Sequence, residues 1–204
     1  MKQDDCPFCE RMDNCSMSVL ESENFFVFPS LGQIVEGYLL ICSKEHYLSC
    51  SEIPQEQFSE FLNVKEKVRR MLAQSYTNPI FFEHGCISQD RNKKAGCCVE
   101  HAHMHSVPAN VDLLDAVERN FKGRKIENIF EIKELHKRAI PYFYYENSEG
   151  EKYIFELNER APSQYLRQVL AVKLGVPEKW DWRTCPCRDD VLKTYARLKS
   201  ITPS

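Results

Sequence analysis

No stretch of this chain is apolar for the length of a bilayer span, and the opening "MKQDDCPFCE" lacks the apolar core of a secretion signal. Neither sign of charge dominates. The 27 basic and 30 acidic side chains leave a formal charge of −3 and a pI near 6.1, so composition makes no electrostatic case for a nucleic-acid or membrane surface. A local basic patch would be invisible to such a sum, so nucleic acid stays open as a partner. Internal repeats, low-complexity tracts and linkers long enough to separate a pair of domains are also missing. These absences predict a cytoplasmic protein without membrane spans. What is present, 204 residues with 43% hydrophobic and 28% charged side chains, suits one sizeable domain or a domain with a substantial extension.

Cysteine, by contrast, is abundant. Ten cysteines in a chain with no export signal read as reduced thiols or metal ligands rather than disulfides. Most fit a role as small buried apolar residues. Two pairs differ: Cys6 and Cys9 in "DDCPFCERM", and Cys185 and Cys187 in "WDWRTCPCRDD". The first is a C-x-x-C, a spacing that lets two thiolates grip one tetrahedral ion, though no second C-x-x-C exists to complete it. A redox role is the rival, but it belongs with a βαβ pattern that is absent. The second pair is too tight for a zinc knuckle and reads as a packed aromatic turn.

Strands are predicted at "NFFVFPSLG" (24–32), Tyr38 to Cys42, and "NPIFFEHG" (78–85). A helix opening near Pro54 follows the second, with Phe58, Phe61, Leu62, Val68, Met71 and Leu72 at three- and four-residue steps. Glu56 and Glu60 lie early in it and Arg69 and Arg70 late, as the helix dipole prefers. Downstream come a short helix at 111–121, an aromatic hairpin over 140–158 turning at Asn147 to Gly150, and a helix over 161–175 ended by Gly175. The order is α+β: antiparallel strands with helices packed on them.

The segment "VEHAHMHSVP" (99–108) puts His101, His103 and His105 at every second position. On a strand they share one face at a repeat of roughly 6.5–7 Å, with Ala102 and Met104 behind. Three polar rings on one face need partners, so ordinary core is a poor description. Two chemistries remain open from the residues alone. One is a His-only metal centre that activates water. The other is nucleophilic attack on phosphorus by a neutral imidazole, with its neighbours holding phosphate oxygens or the leaving group.

"HAHMHSVP" resembles the histidine triad signature, His-φ-His-φ-His-φ-φ, of a superfamily of nucleotide hydrolases and nucleotidyl transferases. "VFPSLGQIVEGYLLICSKEHY" is similar to the hairpin that precedes it there, and "FFEHG…AGCCVEHAHMH" to the strand and loop leading into the triad, over roughly residues 6 to 108. The resemblance implies a HIT-like fold of about five antiparallel strands with helices on one side, usually a homodimer. It implies a catalytic core over 1–110 with an N-terminal zinc-binding segment, and an extension over 111–204 packed on it. By the same resemblance His103 is the nucleophile, and His105 contacts phosphate or helps protonate the leaving group. The substrate would be a nucleotide or dinucleoside polyphosphate. In zinc-containing branches the ligands map to Cys6, Cys9, His46 and His101, a closed structural site, with Cys15 as an alternative ligand.

The chain departs from the family pattern in several places. Cys97 and Cys98 stand where many members carry a phosphate-contacting Gln-Ser pair; Gln89 in the preceding loop and the backbone after Gly96 are the substitute phosphate contacts. Phe28-Pro29-Ser30 replaces the usual ribose-binding acid. Glu83 replaces an asparagine, and Glu83 and His84 either face the pocket or end the strand. "PSQYLRQVLAVKLGVPEKWDWRTC" is similar to the tail of larger histidine-triad-like proteins, some linked to RNA processing. Arg160 and Arg167 are candidate anion contacts, with solvated helix charges as the plainer reading. The chain reads best as a zinc-stabilised nucleotide hydrolase or transferase. The rivals are a non-catalytic nucleotide- or RNA-binding module and an open zinc centre.

Overall fold

The computed structural model describes residues 6–13, 17–87, 95–97 and 99–201. Among the described residues eight strands form one sheet: β1 (Leu20–Glu21), β2 (Phe25–Pro29), β3 (Leu39–Ser43), β4 (Ile80–Gly85), β5 (His103–Val107), β6 (Gly123–Ile126), β7 (Tyr142–Glu146) and β8 (Lys152–Glu156). Their order is β1-β2-β3-β5-β4-β7-β8-β6, with every neighbouring pair antiparallel. The expected sheet of about five strands is therefore corrected to eight. The first five lie before residue 110, and the edge they leave at β4 is continued by three more from residues 123–156. An exposed edge strand invites further pairing, and here the same chain supplies it.

The described residues include six α-helices: α1 (Pro7–Asp13), α2 (Gln55–Ser75), α3 (Leu114–Glu118), α4 (Ile132–Lys137), α5 (Tyr165–Lys173) and α6 (Arg188–Lys199). Among the described residues none is long and apolar enough to cross a membrane. Helices on one side of the sheet were expected; both faces are covered. On one face α2 buries Phe58, Phe61, Val64, Val68, Met71 and Leu72 against Val27, Ile41, Phe81, Met104 and Tyr144. On the other, Tyr165, Leu166, Leu170 and Ala171 of α5 cluster with Leu40, Phe82, Val107 and Phe143. Strand alternation sorts these sets, because neighbours in sequence must point to opposite faces.

Gly175 ends α5 as its sequence implies. Its φ is +73°, and the N–H groups of Gly175 and Val176 return to the carbonyls of Val172 and Ala171, at 3.1 and 2.9 Å. Arg69 does not serve the helix dipole. With Lys65 it reaches across to Glu146 on β7, which also accepts from the Tyr144 hydroxyl. Helices α1, α4 and α6 and strands β1 and β6 were not foreseen. The β6 segment, "GRKI", carries no alternation to reveal it, whereas α6 buries Val191, Thr194 and Leu198 at a helical spacing that the residues do carry.

Glu83 and His84 adjoin on β4 and so face opposite ways. Glu83 points to the α2 side, accepting from the Cys50 N–H at 2.6 Å and the Tyr142 hydroxyl at 2.8 Å. Burial raises its pKa from 4.5 to about 7, against the lowering effect of those two donors. The Cys50 thiol and Lys133 are the other titratable groups of this cluster. The folded state thus holds a proton on Glu83 that the unfolded chain has released. Stability should fall as pH rises from about 4.5 through 7. Glu83→Gln keeps an acceptor for the Cys50 N–H without the charge. It should flatten that slope in urea unfolding and raise stability at pH 8 by about 3 kcal/mol. An unchanged slope would count against a buried Glu83 titration.

Candidate functional site

Four side chains from separate regions of the chain meet beside the start of β5. Cys6 precedes α1, Cys9 lies within it, His46 follows β3, and His101 sits two residues before β5. One ligand atom from each lies within 4.8 Å of all the others. Sγ of Cys6 is 3.4 Å from Nδ1 of His101, and Sγ of Cys9 is 3.4 Å from Nδ1 of His46 and 3.6 Å from Nδ1 of His101. The edges of a tetrahedron around an ion at ordinary metal–sulfur and metal–nitrogen distances are about 3.5 Å, so this donor set fits a four-coordinate metal. Nε2 of His101 donates to the Ser43 carbonyl at 2.8 Å, which frees Nδ1 to face the sulfurs. Burial pushes the Cys6 thiol pKa up, and a cation is the natural partner for its thiolate. Cys15 lies outside the described residues.

Phe8, between the two cysteines, packs edge-on against His101, His103 and Phe28 with ring centroids 5.8, 5.2 and 5.7 Å apart. The cysteine segment thereby becomes one wall of a cavity of about 220 Å³, which His84, His103, His105, Gln164 and Arg167 also line. Nδ1 of His103 donates to the His101 carbonyl at 2.6 Å, so the lone pair resides on Nε2. His105 lies stacked on Phe82, centroids 4.4 Å apart, and its Nδ1 meets the Tyr38 hydroxyl at 2.6 Å. Nε2 of His84 accepts the Leu166 N–H at 3.1 Å. Burial holds His84 at about 3 and His103 at about 4, and drives His105 well below its usual value; neighbouring charges, Arg167 among them, lower all three further. The cavity therefore presents neutral imidazoles beside one guanidinium.

A family model described as a HIT domain matches residues 11–111. The chain is a member of the HIT-like superfamily. It is 28% identical over 181 residues to CWF19-like protein 1 of Homo sapiens, an alignment covering 81% of this chain and 31% of that one. It is 27% identical over 105 residues to the adenosine 5'-monophosphoramidase HNT1 of Candida albicans, covering 50% of this chain and 69% of that one. The HIT-like chain spans about a third of the length of its CWF19-like relatives. Among solved structures, a HIT family protein from Bacillus anthracis is 24% identical with a TM-score of 0.44, covering 53% of this chain and 76% of that one.

This HIT-like chain brings together Cys6, Cys9, His46 and His101 in one cluster and His103, His105 and Cys97 in the adjoining cavity. Gln89 and Cys98 lie outside the described residues. Gly96, with φ +69°, passes so close to the C-terminal segment that a Cβ there would stand 2.1 Å from the Pro162 carbonyl oxygen. Its own carbonyl accepts the Gln164 N–H at 2.6 Å. Of the two arginines weighed as anion contacts, Arg160 is exposed, while Arg167 is buried in the cavity, which corrects the solvated reading for Arg167. Its signal was a basic residue inside the apolar stripe of α5. Gln164, Phe8 and Tyr38 were missed; no local pattern marks them. Sγ of Cys185 and Cys187 stand 3.3 Å apart, with no third metal-competent group beside them among the described residues.

Elemental analysis of the purified protein should find about one metal ion per chain. Joint replacement Cys6→Ser and Cys9→Ser should remove it and lower the melting temperature. Full metal occupancy in the double variant would overturn this cluster as the metal site.

Proposed function

We propose that this chain cleaves a nucleotide phosphoanhydride or phosphoramidate bond through a nucleotidyl-histidine intermediate on His103, with zinc as the structural ion at Cys6, Cys9, His46 and His101. The hydrogen bond from His103 Nδ1 to the His101 carbonyl carries this reading, because it holds the ring in the tautomer whose Nε2 is nucleophilic. Nε2 attacks phosphorus, a P–N bond forms and the bond to the leaving group breaks. The departing atom collects a proton from the His105–Tyr38 pair, which stands beside His103 with the two imidazole centroids 4.8 Å apart. Water or another acceptor then attacks the same phosphorus, returns its proton to the His105–Tyr38 pair and releases His103 as the P–N bond breaks. The His101 carbonyl stabilises the positive charge that the ring acquires on attack. When bound, zinc would grip the ring of His101 and so steady the carbonyl on which His103 depends.

The cluster that fits a metal includes His101 and neither His103 nor His105, which argues against the open zinc centre. The non-catalytic nucleotide- or RNA-binding module retains one observation in its favour. Cys97, a weak hydrogen-bond donor, lines the cavity where many members place a side chain that contacts phosphate.

Mixing the protein with dinucleoside polyphosphates and nucleoside phosphoramidates, quenching within a turnover and measuring intact mass should reveal one added nucleotidyl group. In His103→Ala the adduct should vanish and turnover should drop by about 10³-fold or more. Tight nucleotide binding with neither adduct nor product would favour the binding module instead.

A further inference from the structure

Arg167 is 2% exposed and lies among the described residues without a carboxylate partner. Its Nε donates to the Trp180 carbonyl at 2.9 Å, one Nη donates to the Gly32 carbonyl at 2.8 Å, and its plane rests over the Tyr38 ring, 5.1 Å from the centroid. These contacts occupy two of the five N–H groups that a guanidinium carries. Carbonyl dipoles and a ring face position the cation without neutralising it, and burying an uncompensated charge costs several kcal/mol. The imidazoles around it can supply no negative charge. Asp181, the acid of the same segment, is already clasped by Arg183 through two bonds of 2.9 Å.

Gln164 supplies a second, independent observation. It is 2% exposed, lines the same cavity, and its Oε1 is buried with no hydrogen-bond partner. The orientation of the amide is not arbitrary, because Nε2 donates to the Asp181 carboxylate at 3.1 Å and turning the amide over would set two acceptors against each other. One wall of the cavity therefore holds a cation lacking an anion and an acceptor lacking a donor. Both come from the C-terminal segment.

We propose that Arg167 binds the phosphate of the ligand as a forked cation, and that Gln164 Oε1 accepts from a hydroxyl or amino group on the organic portion of the same ligand. The site thus takes a phosphate ester that carries a hydrogen-bond donor, and it reads the two groups with separate residues. Guanidinium suits this role because its planar fork matches phosphate oxygens. The inference rests on the reading above only in placing a nucleotide in this cavity; it needs no turnover.

Calorimetric titration of the His103→Ala protein with inorganic phosphate and with adenosine 5'-monophosphate separates the two roles. Arg167→Met should weaken both ligands by about 10-fold or more, with Arg167→Lys intermediate. Gln164→Met should leave phosphate affinity unchanged and weaken the nucleotide by about 5-fold. Should Arg167→Met fail to fold, a crystal of the His103→Ala protein grown with the nucleotide decides the matter: phosphate on the Arg167 guanidinium supports the inference, and phosphate elsewhere overturns it. Equal weakening of both ligands by Gln164→Met would overturn the donor-reading role. A nucleotidyl adduct that forms as fast in Arg167→Met as in the wild type would overturn the Arg167 role and leave His103 standing. Binding through Arg167 with no adduct would do the reverse.

Discussion

Strand β5 is hydrogen-bonded along both edges, to β3 on one side and β4 on the other, and the rest of the site depends on that constraint. A strand paired on both sides cannot twist away or slip by one residue without moving its whole side-chain set to the wrong face. Met104 is held among the α2 side chains, so His103 and His105 must face α5. Buried there, each imidazole needs a partner, since an unsatisfied polar group costs about 1–3 kcal/mol. The partners are all close: the Ser43 carbonyl for His101, the His101 carbonyl for His103 and the Tyr38 hydroxyl for His105. The same bonds fix the tautomers of His101 and His103. Packing and chemistry are set by one arrangement.

Two faces of one sheet carry buried cations in contrasting circumstances. On the α2 side, Lys65 and Arg69 converge on Glu146, with the Tyr144 hydroxyl completing the cluster. Arg69 also pairs with Glu66, so both cations have carboxylate partners within the fold. On the α5 side Arg167 has carbonyls and a ring face but, among the described residues, no anion. The neighbouring imidazoles are held neutral by burial, with Arg167 adding to the effect. A neutral imidazole beside a cation that has no anionic partner among the described residues is an arrangement suited to an anionic group such as a phosphoryl.

The C-terminal half completes this cavity as well as extending the sheet. Strand β7 pairs with β4 opposite Glu83 and His84, and α5 lays Arg167 against Tyr38 while the Leu166 N–H caps His84. Gln164, in a left-handed conformation at φ +54°, takes the Gly96 carbonyl and so ties the loop before the triad to the segment behind it. The cysteine segment adds another part of the lining through Phe8, where Cys6 and Cys9 also cluster with Trp182. The cavity is thus bounded by pieces from both ends of the chain, although the histidines themselves lie near its middle.

The alternation of His101, His103 and His105, the C-x-x-C at Cys6 and Cys9, and the helical spacing along α2 were all legible in the residues. Each is a local repeat whose period dictates which side chains share a face. The four-residue metal cluster could be assembled beforehand only through resemblance, because nothing in the spacing of His46 relates it to Cys9. The joining of the 140–158 hairpin and β6 to the sheet, the covering of both faces and the burial of Gln164 were decided by tertiary structure alone, and for Arg167 the residues offered only its place in the apolar stripe of α5. Whether an arginine on a helix meets water or a cavity depends on what packs over it. Here that is a tyrosine from β3's approach and a loop from the far end of the chain, and contacts between such distant segments leave no periodic trace in sequence.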